Sequence, residues 1–563
     1  MKLAAAILAA SALATPSAMG ADATQLGVGY ICGAEQVGHS PGVAAAAVML
    51  GGVGNGVSQA DTANHQAQAW FEEGLNLYHA FNHNEARDAF AKAAALDPNC
   101  ALCEWGVALG LGGTLNYGVS AEETAEALQH AEHAARLVKP GDARAKGMID
   151  ALILRYSKDG GEKAFGKAMD ELARRYPADD TIANLTAEAL MIPGRGGDAA
   201  GVARAEQLIK GVLARHPDDT AAIHYYIHAS EFAGHPGDAL PYAHRLAGLA
   251  PGASHLVHMA AHTLMHVGEY ENVALVDAQA LKVDADVEAR LGYPGPLSAQ
   301  MYYLHNYTFG LAGALMAGDG RLAVKYADHA GVAFPAGRDD FRIAIPGGVT
   351  RSTTPGEQRT TADARALVAY GRYAPDRALA LSDAPGDKLI VRVYRHYARG
   401  EGYAAKGDAA GVQREAEVLK GLWTEAGKTN EFGSVNIALI GSQVLAGRAA
   451  LMTGDPAKAA QSFASAAELQ EKAYPVAKAF DPPPWWYPVR RSLAYADLAA
   501  GKPADAAREA RASLKDWPDD ALALRVLAQA EGKLGDAAAA KAHADDARKA
   551  WRGDLAKVPL ALT

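Results

Sequence analysis

Cysteine is nearly absent, with only Cys32, Cys100 and Cys103 in 563 residues. Three thiols cannot build the disulfide framework that staples a core-poor secreted domain. Aromatic residues are sparse, at 7%. Basic charge is in deficit, 54 Lys and Arg against 64 Asp and Glu for a formal net charge of -10, which excludes the basic surface that nucleic acid requires. Past the N-terminus no apolar run approaches the roughly 18 residues that cross a bilayer, so no membrane span is expected. No His-Glu-x-x-His sequence occurs, and with it goes a zinc peptidase of that type. What remains is an alanine-rich chain, half hydrophobic. At roughly 100 to 200 residues per domain it would make three or four domains, or one body of small repeats with no central core.

The first 20 residues read as an export signal. Met1-Lys2 precedes an apolar stretch from Leu3 to Ala14, then Pro16, with small residues at Ala18 and Gly20 placed for cleavage. No Leu-Ala-Gly precedes Cys32, so no lipid anchor is expected. The mature protein is expected to be periplasmic or secreted.

Small and apolar residues then recur in one register: Gly74, Ala86, Phe90, Ala93 and Pro98; Gly447, Gly454, Ala459, Phe463 and Ala466; Ala494, Gly501, Ala506, Ser513 and Pro518; Ala528, Gly535, Ala540 and Ala547. Small side chains let paired helices approach closely, and proline ends the second of each pair. The spacing resembles the tetratricopeptide repeat (TPR), a unit of about 34 residues. The resemblance implies an all-α solenoid, a right-handed superhelix of antiparallel helix pairs. Residues 21–60 lack helical periodicity and read as an irregular segment. Residues 61–332 read as an N-terminal array and 363–563 as a C-terminal one, with a long Pro- and Gly-rich loop at 333–362 between them.

The histidines carry the chemistry. Nine of the nineteen fall between residues 216 and 266. His224, His228 and Glu231 follow an H-x3-H-x2-E spacing; at about 100° per residue they share an arc of about 60° on one helix. His255, His258, His262 and His266 fall within about 80° on the next. His224 to His258 and His228 to His262 are each 34 residues, so the two sets sit in equivalent repeat positions. By the TPR resemblance these positions face the concave groove, together with Tyr302, Tyr303 and His305 on the following helix and Asn184 and Glu188 on the preceding one.

Imidazoles with one carboxylate suit a divalent transition ion, Zn, Fe or Cu, over Ca²⁺ or Mg²⁺. The metal ligands expected are His224, His228, His255, His258, His262, His266 and His305, with Glu231 as a further ligand or as the base acting on a bound water. The competing reading is a scaffold that captures a peptide or protein in the groove without catalysis. Whether the chain is an enzyme, and its oligomeric state, stay open at this level.

Cys100 and Cys103 form a single CxxC at a helix start, open to a local disulfide, a packed thiol pair or redox use. Trp485, Trp486, Arg490 and Arg491 follow three prolines and are consistent either with a stacking or carboxylate-binding surface or with a hairpin packed at the end of the groove. His396, Tyr397 and Glu401 share another first helix.

Several phrases, among them Ala67 to Leu75, Phe81 to Ala86, Asp97 to Trp105, His224 to His228, His255 to Met259, His305-Asn306 and Tyr487 to Arg490, resemble a group of exported bacterial TPR proteins. That resemblance implies the fold but no reaction. In the group's pattern Asn follows the His-rich helix where this chain has Asp277, an added acid that would act as a ligand or as a partner of one.

Overall fold

The computed structural model describes residues 47–116, 118–193, 198–291, 301–333, 343–345, 349–351, 356–429, 432–476 and 481–559. The expected signal peptide at 1–20, Cys32 and most of the irregular segment lie outside them. Among the described residues there are 24 α-helices and one short antiparallel hairpin.

Local chemistry sets the helix limits. Asn64 accepts from the amides of Gln66 and Ala67 at the start of the helix His65–His79. Ser120 and Glu123 form a reciprocal capping box before Ala121–Leu137. Asp219 caps Thr220–Phe232, and Gly268, at φ 85°, ends Ser254–Val267. The small residues in the repeat register have a steric cause. A methyl group at Gly74 would lie 2.8 Å from the Phe90 ring and one at Gly106 only 2.3 Å from it, so Phe90 wedges between two helices that must both be bare at that level.

Each helix packs on the next, and the first helix of a pair also touches the first helix of the following pair. The result is an all-α solenoid of the TPR type, with an inner layer of first helices that includes Asp180–Met191, Thr220–Phe232, Ser254–Val267 and Met301–Ala317. The solenoid turns back on itself. His65–His79, the first inner helix, also touches Thr220–Phe232, where His79 Nδ1 lies 2.9 Å from the Tyr225 hydroxyl.

Residues 47–60 run as a strap across this closure. Glu73 accepts from the Leu50 and Gly51 amides at 2.7 and 2.9 Å. Asn55 exchanges hydrogen bonds with Asp218 and Thr220, the Gly52 carbonyl accepts from Gly252, and Arg290 donates to the Leu50 carbonyl. The C-terminal helices return in the same way: Arg491 meets Asp520 at 3.0 Å, both buried, and the Arg552 amide donates to the Ala317 carbonyl at 2.8 Å.

The apolar packing divides near residues 264–274. One core runs from Leu50 to Leu264 and takes in Val273, and a second runs from Tyr270 to Trp517. Segment 333–362, read from sequence as a loop between two arrays, carries the strands Ile343–Ile345 and Val349–Arg351 and the start of the helix Gly356–Tyr373. The helix before it, Gly320–Ala333, packs directly on Gly356–Tyr373, so one core continues across the excursion.

One expectation needs correction, and one pair of open readings is resolved toward the packed hairpin. Val435–Met452 does reach membrane-span length, with mean hydropathy 1.4 over 18 residues, but 61% of it is buried inside the protein; it is the core helix between Ala409–Thr429 and Pro456–Ala473. The Trp485–Arg491 run is no exposed binding surface. Trp485 and Trp486 are buried, Arg365 donates to the Pro482 and Pro483 carbonyls, Arg490 pairs with Glu471 and Glu509, and Arg491 is spent on Asp520.

Candidate metal centre

The Thr220 and Ser254 helices are adjacent in the inner layer, so histidines at matched repeat positions come face to face. They do not line an open groove, as the repeat register suggested. His224, His255, His258, His262 and His305 are at most 1% exposed and His228 is 4% exposed. Covering them on one side is Phe81, held in the left-handed region at φ 58°, with its ring 4.4 Å from His224 and 5.1 Å from His255. On the other side lie Phe309, 4.6 to 5.0 Å from the rings of His258, His262 and His305, and the Asp481–Pro483 segment.

The imidazoles divide into two triads, His224/His228/His255 and His258/His262/His305, and in each the candidate ligand atoms lie within 4.8 Å of one another. Each triad could hold a metal ion. His255 and His258, three residues apart on one helix, go to different triads.

The outer nitrogen of most rings is held by an acceptor. His224 Nδ1 lies 2.6 Å from the His79 carbonyl, His258 Nδ1 2.6 Å from Asp277 Oδ1, His262 Nδ1 3.0 Å from Glu231 Oε1 and His305 Nδ1 3.3 Å from Asp481 Oδ1. At His224, His258 and His262 the acceptor favours a ring proton on Nδ1 and turns Nε2 inward. The inner nitrogens converge: His262 Nε2 faces His305 Nε2 at 3.2 Å, and His224 Nε2 faces His228 Nε2 at 3.1 Å. His258 Nε2 and both nitrogens of His255 are buried with no hydrogen-bond partner.

Burial pushes His224, His255, His258 and His305 well below the usual imidazole range and His228 down to about 3. These are neutral rings, the form that binds metal. His262 differs: burial disfavours its charge, but the Glu231 carboxylate outweighs that and moves it up. Burial acts against the Glu231 charge as well, yet His262 and His266 hold this carboxyl well below its usual range. Burial drives Asp277 well up, with the neighbouring Asp284 adding to the effect.

The remaining expected residues fall around the triads. His266 stands outside both, partly exposed, with Nε2 3.4 Å from Glu231 Oε1. Glu231 meets His262 at Nδ1, the edge of the ring opposite His305, and lies 3.9 Å from His228 Nδ1. It therefore sits behind the imidazoles, away from the face where a base would reach a bound water, and it orients rings. Asp277 is a partner of His258, not a member of either triad. Glu188 accepts from the Tyr225 hydroxyl at 3.1 Å and burial lifts it to about 7; Asn184 donates to Asp219 at 3.1 Å. Both stand one layer behind the triads. The Tyr302 ring packs 4.3 Å from His255 while its hydroxyl accepts from Asn116. His396 is held by Glu415 and Asp383 in a separate cluster. Cys100 and Cys103 are joined by a disulfide.

Sequence reading missed His79, Phe81, Phe309 and Asp481. His79 and Phe81 sit four repeats before the cluster, and Asp481 comes from the second core, so no local spacing could have joined them to it.

Fold and site together define an all-α solenoid of helix pairs with a buried polyhistidine cluster. No family model matches the chain, and no curated protein does. Among solved structures it is similar to Naa15/Naa10 bound to HypK-THB, at 12% identity and a TM-score of 0.22 over 86% of this chain and 73% of that one. It is also similar to the TPR domain of P58(IPK), at 14% identity and a TM-score of 0.20 over 66% of this chain and 93% of that one.

Proposed function

We propose that this chain is an exported metal-binding repeat protein that holds a divalent first-row transition ion, Zn, Fe or Cu, on its buried imidazoles. One observation carries the reading: two pairs of Nε2 atoms oppose each other at 3.2 and 3.1 Å, and in the His262–His305 pair both rings have a carboxylate at Nδ1. At that distance one ring N–H can donate to the other ring's lone pair, or a metal ion can replace that proton and bind both nitrogens. Tetrahedral metal–imidazole bonds of about 2.0 to 2.1 Å set adjacent nitrogens about 3.3 Å apart, close to the spacing present. The acceptors behind the rings are those that metal-bound histidines use to fix tautomer and orientation. The leader-like residues 1–20 support a periplasmic or secreted location.

The scaffold alternative assigns the histidines to peptide contacts. Their burial counts against that assignment, so a peptide or protein partner would engage another face of the array. No reaction is assigned, because Glu231 lies on the wrong edge of the rings to serve as base.

Elemental analysis of the untagged mature protein tests the proposal. Zn, Cu or Fe retained through desalting is expected. Protein that stays metal-free after reconstitution with all three sinks it. A single partner recovered from a periplasmic extract by such metal-free protein, equally with and without chelator, would favour the scaffold.

A further inference from the structure

Resting on that metal-binding reading, we propose that the six imidazoles form one two-ion centre with unequal halves: the His258/His262/His305 half fills first, the His224/His228/His255 half second, and the pair admits a bridging ligand of one or two heavy atoms.

The halves are too close to act as separate sites. The ring centroids of His228 and His262 are 6.0 Å apart, and so are those of His255 and His258. One carboxylate serves both halves, since Glu231 bonds His262 Nδ1 at 3.0 Å and stands 3.9 Å from His228 Nδ1. Ions held so near each other in a dry interior, with only neutral imidazoles between them, repel strongly unless an anion lies between them. Paired metal sites meet this need with a shared small ligand.

The order of filling follows from the surrounding charge. Asp277, Glu231 and Asp481 each face an Nδ1 of the second triad. In the first triad the acceptor at His224 is an uncharged backbone carbonyl, and the His255 nitrogens have no hydrogen-bond partner. A divalent ion therefore meets three carboxyl groups directly behind the second triad and only Glu231, at 3.9 Å from His228 Nδ1, behind the first.

The size limit follows from access. A cavity of about 20 Å³ reaches the centre beside His262, lined by Phe309, Asp481, Pro482 and Trp517 among others. That is room for about one water-sized molecule, and Phe81 and Phe309 wall the rings elsewhere.

Titration of Cu²⁺ into chelator-stripped, untagged full-length protein, followed by electron paramagnetic resonance, tests this. The first equivalent should give a full-intensity single-ion spectrum. The second should lower the total intensity below two spins and add a half-field line. Two additive single-ion spectra overturn the paired centre while leaving metal binding intact; copper lost on desalting overturns the metal reading itself. His255→Ala, or the milder His255→Gln, should abolish only the second equivalent. Asp277→Asn should weaken the first by about 10- to 100-fold, with helix content by circular dichroism confirming the fold. If His255→Gln removes the first equivalent instead, the order is wrong. Fluoride should alter the two-copper spectrum and free imidazole should not; a response to imidazole overturns the size limit.

Discussion

His262 and His305 point their Nε2 atoms at each other across 3.2 Å, each with a carboxylate oxygen near Nδ1, Glu231 for one and Asp481 for the other. The two residues are 43 positions apart and almost entirely buried. A carboxylate stands behind each ring, and the two inner nitrogens face each other.

Metal should stabilise the fold. A ligand that binds only the folded chain at 100 times its Kd adds about 2.7 kcal/mol. Differential scanning calorimetry of stripped protein is expected to show a higher Tm with Zn²⁺ and a return to the starting value with chelator. An unchanged Tm at saturating Zn²⁺ would count against burial of the ion.

Glu231→Gln keeps a hydrogen-bond acceptor for His262 but removes the charge. Affinity for the ion is expected to drop about 10- to 100-fold, measured by competition with a chromophoric chelator, with helix content unchanged. Complete loss of folding would mean that Glu231 is chiefly structural.

Phe81→Ala should expose the His224 triad and leave a void among His224, His228 and His255. Truncating a buried phenylalanine costs about 3–5 kcal/mol. Denaturant unfolding measures the loss. Hydrogen exchange at the Thr220 helix should accelerate in parallel, and a variant as stable as the parent would show that Phe81 does not seal the site.

Glu188 ties stability to pH. Burial lifts its folded pKa from 4.5 to about 7, so folding favours the protonated form. Its contribution is fully present below pH 4.5 and is lost as pH rises through about 7, a change of about 3 kcal/mol. Glu188→Gln is expected to remove this slope, gaining on the parent between pH 5 and 7.5. Parallel Tm–pH curves for the two proteins would refute the assignment.

The Arg448–Glu401 pair, 2.6 Å apart, is 1% exposed on both sides. Glu401→Gln or Arg448→Met alone leaves a buried charge and should cost about 3–5 kcal/mol, while the double apolar replacement should recover most of it. A double-mutant cycle in urea measures the coupling.

Much of the fold was legible because helix packing writes itself into local spacing. Gly74 and Gly447 are small because Phe90 and Phe463 press on them, and such pairs recur within one or two helices. The histidines were legible for the same reason: one repeat period brings His224 opposite His258. The excursion at 333–362 reads as a Pro- and Gly-rich loop, and the helices on either side of it, Gly320–Ala333 and Gly356–Tyr373, pack on each other.

Sequence alone determined that the chain repeats, that the repeats are helical and that the histidines lie at equivalent positions on neighbouring helices. Only the tertiary structure decided that these imidazoles are buried, that they divide into two triads and that His266 belongs to neither. It also recruited His79, Phe81 and Asp481. The physical reason is range. Periodicity encodes which side chains share a face, but burial depends on what the chain folds over that face. Here Phe309 lies one turn after His305 on the neighbouring inner helix, but Phe81 and Asp481 come from the turn after the first inner helix and from the C-terminal half, at distances along the chain that no repeat period spans.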